Sequence, residues 1–291
     1  MKIMSFNVCS LRTWVDFDSQ DWLEWKRVLK EIVKYNNIGI VMLQEVYKYE
    51  QSFINDLAEF LGNDASVIST ENYTNCNRNL HNAVYYRSAL FRSVTDISND
   101  FKKYQNRNNN FQIIKFEKGS KTLFLVNVHL ASDGNARIVD GGDHANDLIN
   151  LEQLLSCLEQ KFPNSYIMAG GDFNYSHDLL SKHFTEKNVL TNWLLDDETA
   201  TGKGAQTTLT QVGQMGNAMD HFIYNSNLKT KIQKQAYNEN QNDLWNFTLG
   251  VLHVENGNST QIRIGNLKEL SFIDYHQTIS DRFPIITELK F

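Results

Sequence analysis

Asp172 and Asn174 stand two residues apart in Gly170-Gly171-Asp172-Phe173-Asn174, directly after the run Tyr166-Ile167-Met168-Ala169. That run reads as the end of a buried strand. The two glycines let the backbone turn where a side chain would obstruct it. At a strand end, a two-residue spacing puts a carboxylate and a carboxamide on one side. The carboxylate can take a proton from water, and the amide can hold that water or an oxyanion. The same residues also suit a Gly-Gly-Asp turn with Asn174 as a cap. This stretch alone supports both readings.

Further polar residues interrupt or end apolar runs. Met4, Phe6 and Val8 alternate between Lys2 and Cys9, which puts Asn7 on the opposite face of that strand. Asparagine is disfavoured inside a strand, so Asn7 either ends it by bonding its own backbone or belongs to a metal site. Ile38 to Leu43 is a buried strand that delivers Gln44-Glu45-Val46. Burying a bare carboxylate is costly, so Glu45 is either exposed at a sheet end or held by a metal. Thr122 to Leu130 is apolar on both faces, hence central, and carries Asn127 and His129. A histidine so placed is most often a satisfied core residue. Ala218 to Tyr224 is another strand, containing Asp220 and His221, and Ile279 to Ile286 leads through Asp281 and Arg282 into the last one.

These residues need a scaffold. Ser19 and Asp21 start a helix whose core stripe is Trp22, Trp25, Leu29, Ile32 and Val33. Phe53, Leu57, Phe60 and Leu61 predict a second helix. Leu148, Leu151, Leu154, Leu155 and Leu158 predict a third, stopped near Pro163, and His177 to Phe184 a short fourth. Ala83 to Arg87, Phe111 to Phe116 and Ala205 to Thr210 read as strands, and residues 228–275 as a strand-rich insertion. Residues 70–82 and 98–110 read as exposed polar loops, and 131–145 as a long one. Strands alternate irregularly with helices and no repeat occurs, which predicts a sheet-rich α/β sandwich.

The chain of 291 residues, with 41% hydrophobic residues and two prolines, has no evident linker and reads as a single domain, 1–291. No apolar run reaches membrane-spanning length and no signal-peptide order is present. The expectation is a mature protein starting at Met1, cytoplasmic or exported without a conventional signal. Cys9, Cys76 and Cys157 are too widely spaced for a disulfide framework or zinc site. A net charge of −6 argues against tight nonspecific nucleic-acid binding. Residues 78–121 are nonetheless rich in Lys and Arg, and 143–200 in acids. A basic segment beside an acidic catalytic face would suit a polyanionic substrate. Ordinary solvated faces explain the basic segment equally well.

Taken in order, Ser5-Phe6-Asn7, Leu43-Gln44-Glu45-Val46, Val128-His129-Leu130, Gly171-Asp172-Phe173-Asn174, Met219-Asp220-His221 and Ser280-Asp281-Arg282 form a series spread over nearly the whole chain. The series resembles the endonuclease/exonuclease/phosphatase superfamily, the DNase-I-like fold. The resemblance implies a four-layer α-β-β-α sandwich of two packed mixed sheets flanked by helices. It also implies hydrolysis of phosphate esters in nucleic acid, phosphoinositide, sphingomyelin or nucleotide. Glu45 and Asn7, with Asp281 nearby, would hold Mg²⁺ or Mn²⁺. Asp172 would activate the attacking water, Asn174 would hold it or the phosphate, and His129 would donate to a phosphate oxygen. Asp220 completes the catalytic set. The segments 131–134 and 141–143 resemble the nuclease subunit of cytolethal distending toxins, and the His-Leu pair resembles sphingomyelinases and deadenylases, so no branch is selected.

Two departures stand out. Family members end the last motif in Ser-Asp-His, with the histidine paired to the carboxylate matching Asp220, whereas this chain has Arg282. An arginine cannot pass a proton, and losing such a group typically slows a reaction by roughly 10²–10⁴-fold. Arg282 could still bind phosphate or pair with Asp220. His221 and His276 lie close by in sequence. Residues 72–86 contain no carboxylate to partner the strand histidine, a role that Asn79 or Asn82 could fill, with Asn82 a substrate contact. The expected function is therefore a metal-dependent phosphoesterase attenuated by Arg282. The alternative is a catalytically silent relative that binds a phosphorylated ligand or a protein.

Overall fold

Two parallel strand pairs organise the molecule, and each needs a helix to carry the chain back to its starting edge. In the computed structural model, β1 (Lys2–Asn7) leads through α1 (Gln20–Tyr35) to β2 (Ile38–Tyr47), which runs parallel to it. β3 (Ala65–Ser69), β4 (Leu80–Arg87), β5 (Ser93–Asp96) and β6 (Gln112–Lys118) follow, all in antiparallel pairings. The second parallel pair is β7 (Lys121–His129) and β8 (Tyr166–Asp172), connected through α2 (Asp143–Lys161). Next come α3 (His177–Glu186), β9 (Trp193–Leu195), β10 (Asp220–Asn225) and α4 (Ser226–Lys229). The short pair β11 (Gln261–Ile262) and β12 (Leu270–Ser271) precedes β13 (Ile285–Glu288). The structure describes residues 1–8, 20–47, 58–59, 61–62, 65–69, 80–105, 111–130, 143–186, 193–195, 219–229, 231, 261–262, 270–271 and 285–290.

The two large sheets run β13-β1-β2-β4-β3 and β5-β6-β7-β8-β10-β9. They pack face to face on a core that includes Ile3, Ile40, Met42, Val84, Leu125, Met168 and Phe222. On the outer side of the six-stranded sheet, Leu148, Leu151, Leu154, Leu155 and Leu158 of α2 and Leu180 of α3 pack on Phe124, Val126 and Ile167. Each such buried leucine contributes roughly 1.5–3 kcal/mol. α1 covers the other sheet by packing on β2, with Trp25, Val28, Leu29 and Ile32 buried. The architecture is the four-layer α-β-β-α sandwich. Among the described residues, no helix is long and apolar enough to cross a membrane.

Along the inner faces the side chains change character. Ile3, Ser5 and Asn7 share one face of β1, and Leu123, Leu125, Asn127 and His129 one face of β7, by the two-residue period of a strand. Each series starts apolar in the core and ends polar at the C-terminal end of its strand. A one-residue slip would move Asn7 to the helix side, so packing of the apolar members sets the position of the polar ones.

Several expectations need correction. Gly170 and Gly171 make no turn, because β8 continues through both to Asp172. A Cβ on Gly170 would lie 2.5 Å from the Phe222 ring, and one on Gly171 only 1.9 Å from the Val128 carbonyl oxygen. Gly171 also has φ of 145°, so both glycines serve close approach of neighbouring groups. Residues 80–82 are strand because Leu80 and His81 pair with Tyr47 and Val46. Within the predicted loop 98–110, Ser98–Tyr104 forms 3₁₀ turns that bury Phe101 and Tyr104. The unpredicted β3, β5 and β9 are all sheet edges, where strands are short and alternation is weak.

Part of the basic segment lies away from the site. Lys118 pairs with Lys121 at the far end of the β6–β7 hairpin, whereas Gln112 and Asn127 pair at the end near His129. Arg87, at the end of β4, is likewise remote from Asn82. The predicted Phe53–Leu61 helix, except residues 58, 59 and 61, lies outside the described residues. So do the strand at 205–210, Cys9, Cys76, Asn79, residues 131–142, Asp281 and Arg282.

Candidate active site

Parallel strands put their C-terminal ends at one edge, and here those ends carry the polar residues. Asn7 is the last residue of β1, His129 of β7 and Asp172 of β8, while Glu45 lies near the end of β2. β10 enters antiparallel at Asp220, which pairs directly with Asp172. His129 pairs with Asp172 on the other side. His129, Asp172 and Asp220 therefore form one row across the six-stranded sheet. On the opposing sheet, Asn7 pairs with Gln44.

Glu45 reaches this row by a backbone irregularity. The β2–β4 register shifts between Leu43 and Val46, and Glu45 has φ of 56°. Such a bulge re-aims a side chain, at a backbone strain of about 1–3 kcal/mol. Asn7 then clasps the two sheets together. Its Nδ2 donates to Glu45 Oε1 at 3.0 Å and to Asp172 Oδ2 at 2.8 Å. His129 Nε2 lies 3.3 Å from Glu45 Oε1, so the carboxylate next to the strand histidine comes from β2. Asp172 is fully buried, while the side chains of His129 and Glu45 are 25% and 21% exposed.

Glu45, His129 and Asp172 each offer a ligand atom, and these atoms lie within 4.8 Å of one another. Two carboxylates with a carboxamide form a hard oxygen-bearing set that fits Mg²⁺ or Mn²⁺, and the imidazole favours the latter. The amide hydrogens of Asn7 sit between the two carboxylates, where positive charge is favoured.

Asn174 has φ of 52°, a conformation that asparagine tolerates. Its backbone N–H donates to Asp172 Oδ1 at 2.8 Å, and its Nδ2 to the Leu130 carbonyl at 2.7 Å. Asp172-Phe173-Asn174 is thus an Asx turn at the end of a strand, and it also fixes the Asp172 carboxylate. The turn is held from behind by Phe173 N–H on the Met219 carbonyl at 2.9 Å. His221 Nε2 lies 2.8 Å from the Tyr175 carbonyl.

Beneath the site runs a buried polar network that sequence reasoning did not assign. Gln44 Nε2 donates to Asn127 Oδ1 at 2.7 Å and to Ser5 Oγ at 2.9 Å. Asn127 Nδ2 donates to the carbonyls of Leu43 at 3.0 Å and Ala83 at 3.3 Å. Asn82, only 3% exposed, donates from Nδ2 to the Asn127 carbonyl at 3.2 Å. The available signal was a polar residue on an inner strand face that is otherwise apolar.

The chain matches the model of the Endonuclease/Exonuclease/phosphatase family over residues 4–240. No curated protein matches it. Among solved structures, truncated Caenorhabditis elegans TDP2 superposes with a TM-score of 0.60 at 17% identity, covering 99% of this chain and 96% of that one. The human Nocturnin catalytic domain, with a bound sulfate anion, gives 0.59 at 14% identity, covering 100% and 94%. D. rerio TDP2 complexed with single-strand DNA product gives 0.61 at 14% identity, covering 100% and 99%. At these identities the structural likeness concerns the fold. The family match spans most of the chain, and with the row of strand-end residues in place the protein belongs to the endonuclease/exonuclease/phosphatase family.

Proposed function

We propose that the protein is a divalent-metal-dependent phosphoesterase that hydrolyses a phosphate ester by direct attack of an activated water. The observation that carries this is the meeting of Glu45, His129 and Asp172 within 4.8 Å at the common C-terminal edge of both parallel pairs. Asn7 and Glu45, with Asp281 nearby, would hold Mg²⁺ or Mn²⁺, which when bound neutralises a phosphate oxygen and eases departure of the leaving group. Asp172 would accept the proton of the attacking water, its carboxylate oriented by Asn7 and by the Asn174 N–H. Asn174 would help to hold that water or the phosphate. His129 would donate to a phosphate oxygen, its ring oriented by Glu45. Asp220 would support Asp172 from the adjoining strand and Arg282 would contact substrate, whereas Asn82, buried on the Asn127 carbonyl, would steady the site from beneath rather than touch substrate.

We take residues 1–291 as one domain with an insertion around 228–275, and the location as cytoplasmic or reached by export without a conventional signal. The substrate is a phosphate ester of nucleic acid, phosphoinositide, sphingomyelin or nucleotide. The single-strand DNA product held by the D. rerio structure favours the nucleic-acid member of that set.

One sequence observation favours a second reading. Arg282 stands where the family has histidine, so the activity is either attenuated or replaced by binding of a phosphorylated ligand or a protein. A hydrolysis panel of plasmid DNA, RNA, phosphoinositides, sphingomyelin and bis(p-nitrophenyl) phosphate, with Mg²⁺ or with chelator, separates the two. The enzyme reading expects metal-dependent turnover that Asp172→Ala abolishes and Arg282→His raises, by roughly 10²–10⁴-fold where proton transfer limits. Flat behaviour of the wild type and both variants favours the binding reading.

A further inference from the structure

A cavity of about 150 Å³ lies under α1 at the opposite end of the five-stranded sheet from Glu45. Gly39, which lines it, precedes Glu45 by six positions on β2, a separation of roughly 20 Å along a strand. Its walls are apolar: Val33 of α1, Ile38 and Val41 of β2, and Leu61. Its charged lining residues, among those described, are all cations, namely Lys30 and Lys34 on α1 and Arg87 at the end of β4. Arg87 is held over this end of the sheet by donation from Nη1 to Asn37 Oδ1 at 2.8 Å.

Tyr85 also lines the cavity. The residue is 2% exposed, and its hydroxyl is closed off from accessible space with no hydrogen-bond partner among the described residues, so the side chain forms wall without offering the cavity a polar atom. Burial pushes the phenol well above its usual value, so the group stays a neutral O–H.

Size, lining and charge point to one kind of ligand. An apolar cavity of roughly 150 Å³ holds a benzene-sized ring. Cations at the rim favour an anionic substituent. We propose that this cavity is a second binding site, separate from the phosphoesterase centre, for a single-ring aromatic monoanion. Its ring packs against Val33, Val41 and Leu61, and its anionic group meets Lys34 and Arg87.

Methyl-labelled protein titrated with benzoate and phenol tests this by NMR. The expected result is saturable shifts of the Val33, Ile38, Val41 and Leu61 methyls. Benzoate should bind more tightly, and phenol roughly threefold to tenfold more weakly because it lacks the anion. Lys34→Glu should remove the advantage of benzoate over phenol. Val33→Trp should fill the cavity and abolish binding of both. Asp172→Ala should leave both affinities unchanged. The proposal is overturned if these methyls do not shift at millimolar probe. It is equally overturned if phenol binds as well as benzoate, or if Val33→Trp binds normally.

Discussion

Asn7 stands between two carboxylates from opposite sheets, which makes Asn7→Asp a sharp probe of the candidate site. In the wild type its Nδ2 donates to Glu45 Oε1 at 3.0 Å and to Asp172 Oδ2 at 2.8 Å. Hydrogen bonds to charged groups are each worth roughly 1.5–3 kcal/mol. Asn7→Ala loses both, and partial relaxation leaves an expected deficit of about 2–4 kcal/mol. Asn7→Asp loses them too and puts a third carboxylate beside the others, adding repulsion of about 1–5 kcal/mol for each neighbour. Urea unfolding in chelator should therefore rank the proteins wild type, then Asn7→Ala, then Asn7→Asp. A divalent cation that binds the folded state stabilises it by mass action, and an extra carboxylate strengthens that binding. Mg²⁺ or Mn²⁺ should accordingly raise the midpoint of Asn7→Asp more than that of the wild type and reverse the order of the two variants. The reasoning is refuted if Asn7→Asp in chelator is no less stable than Asn7→Ala, or if cations leave all three midpoints unmoved.

Other outcomes follow from the same geometry. Gly171→Ala puts a Cβ 1.9 Å from the Val128 carbonyl oxygen at φ of 145°, so overpacking and backbone strain should together cost about 2–6 kcal/mol; a thermal midpoint within a degree of wild type would contradict this. Asn127→Leu leaves Gln44 Nε2 and the Leu43 and Ala83 carbonyls short of a partner, for a loss of about 3–5 kcal/mol. A double-mutant cycle with Gln44→Leu should then show coupling of about 0.5–3 kcal/mol, and additive effects would dissolve the network. Glu117 is held at about 2, below its usual 4.5, by Lys115, then Ser93 and Arg92. Its depressed value means that its contribution is present above the usual carboxylate range and fades as pH falls from 4.5 towards 2. An NMR titration should place its midpoint near 2, and one near 4.5 would remove the proposed contacts.

Local pattern carried much of this molecule in readable form. Strand period is two, so alternation of Met4, Phe6 and Val8 placed Asn7 on the opposite face without any knowledge of what lay there. Leucine spacing in α2 predicted its buried stripe for the same reason: the period belongs to the helix itself. The order of polar residues at strand ends pointed to the family and to its four layers. The edge strands β3, β5 and β9 were missed because only their pairing partners hold them extended.

Everything that depends on groups far apart in the chain was decided by the tertiary fold. Asn7 and Asp172 are separated by 165 residues, yet one amide joins them. The carboxylate beside His129 turned out to be Glu45, delivered by a bulge that no spacing announces. Gly170 and Gly171 looked like a turn because glycine permits one, whereas Phe222 and the Val128 carbonyl press on them inside a continuous strand. Lys118 and Lys121 of the basic segment, which composition alone could set beside the acids, lie at the other end of the strands because the β6–β7 hairpin reverses there. A sequence specifies which residues face one way along an element; only packing of one sheet on the other specifies which of them meet.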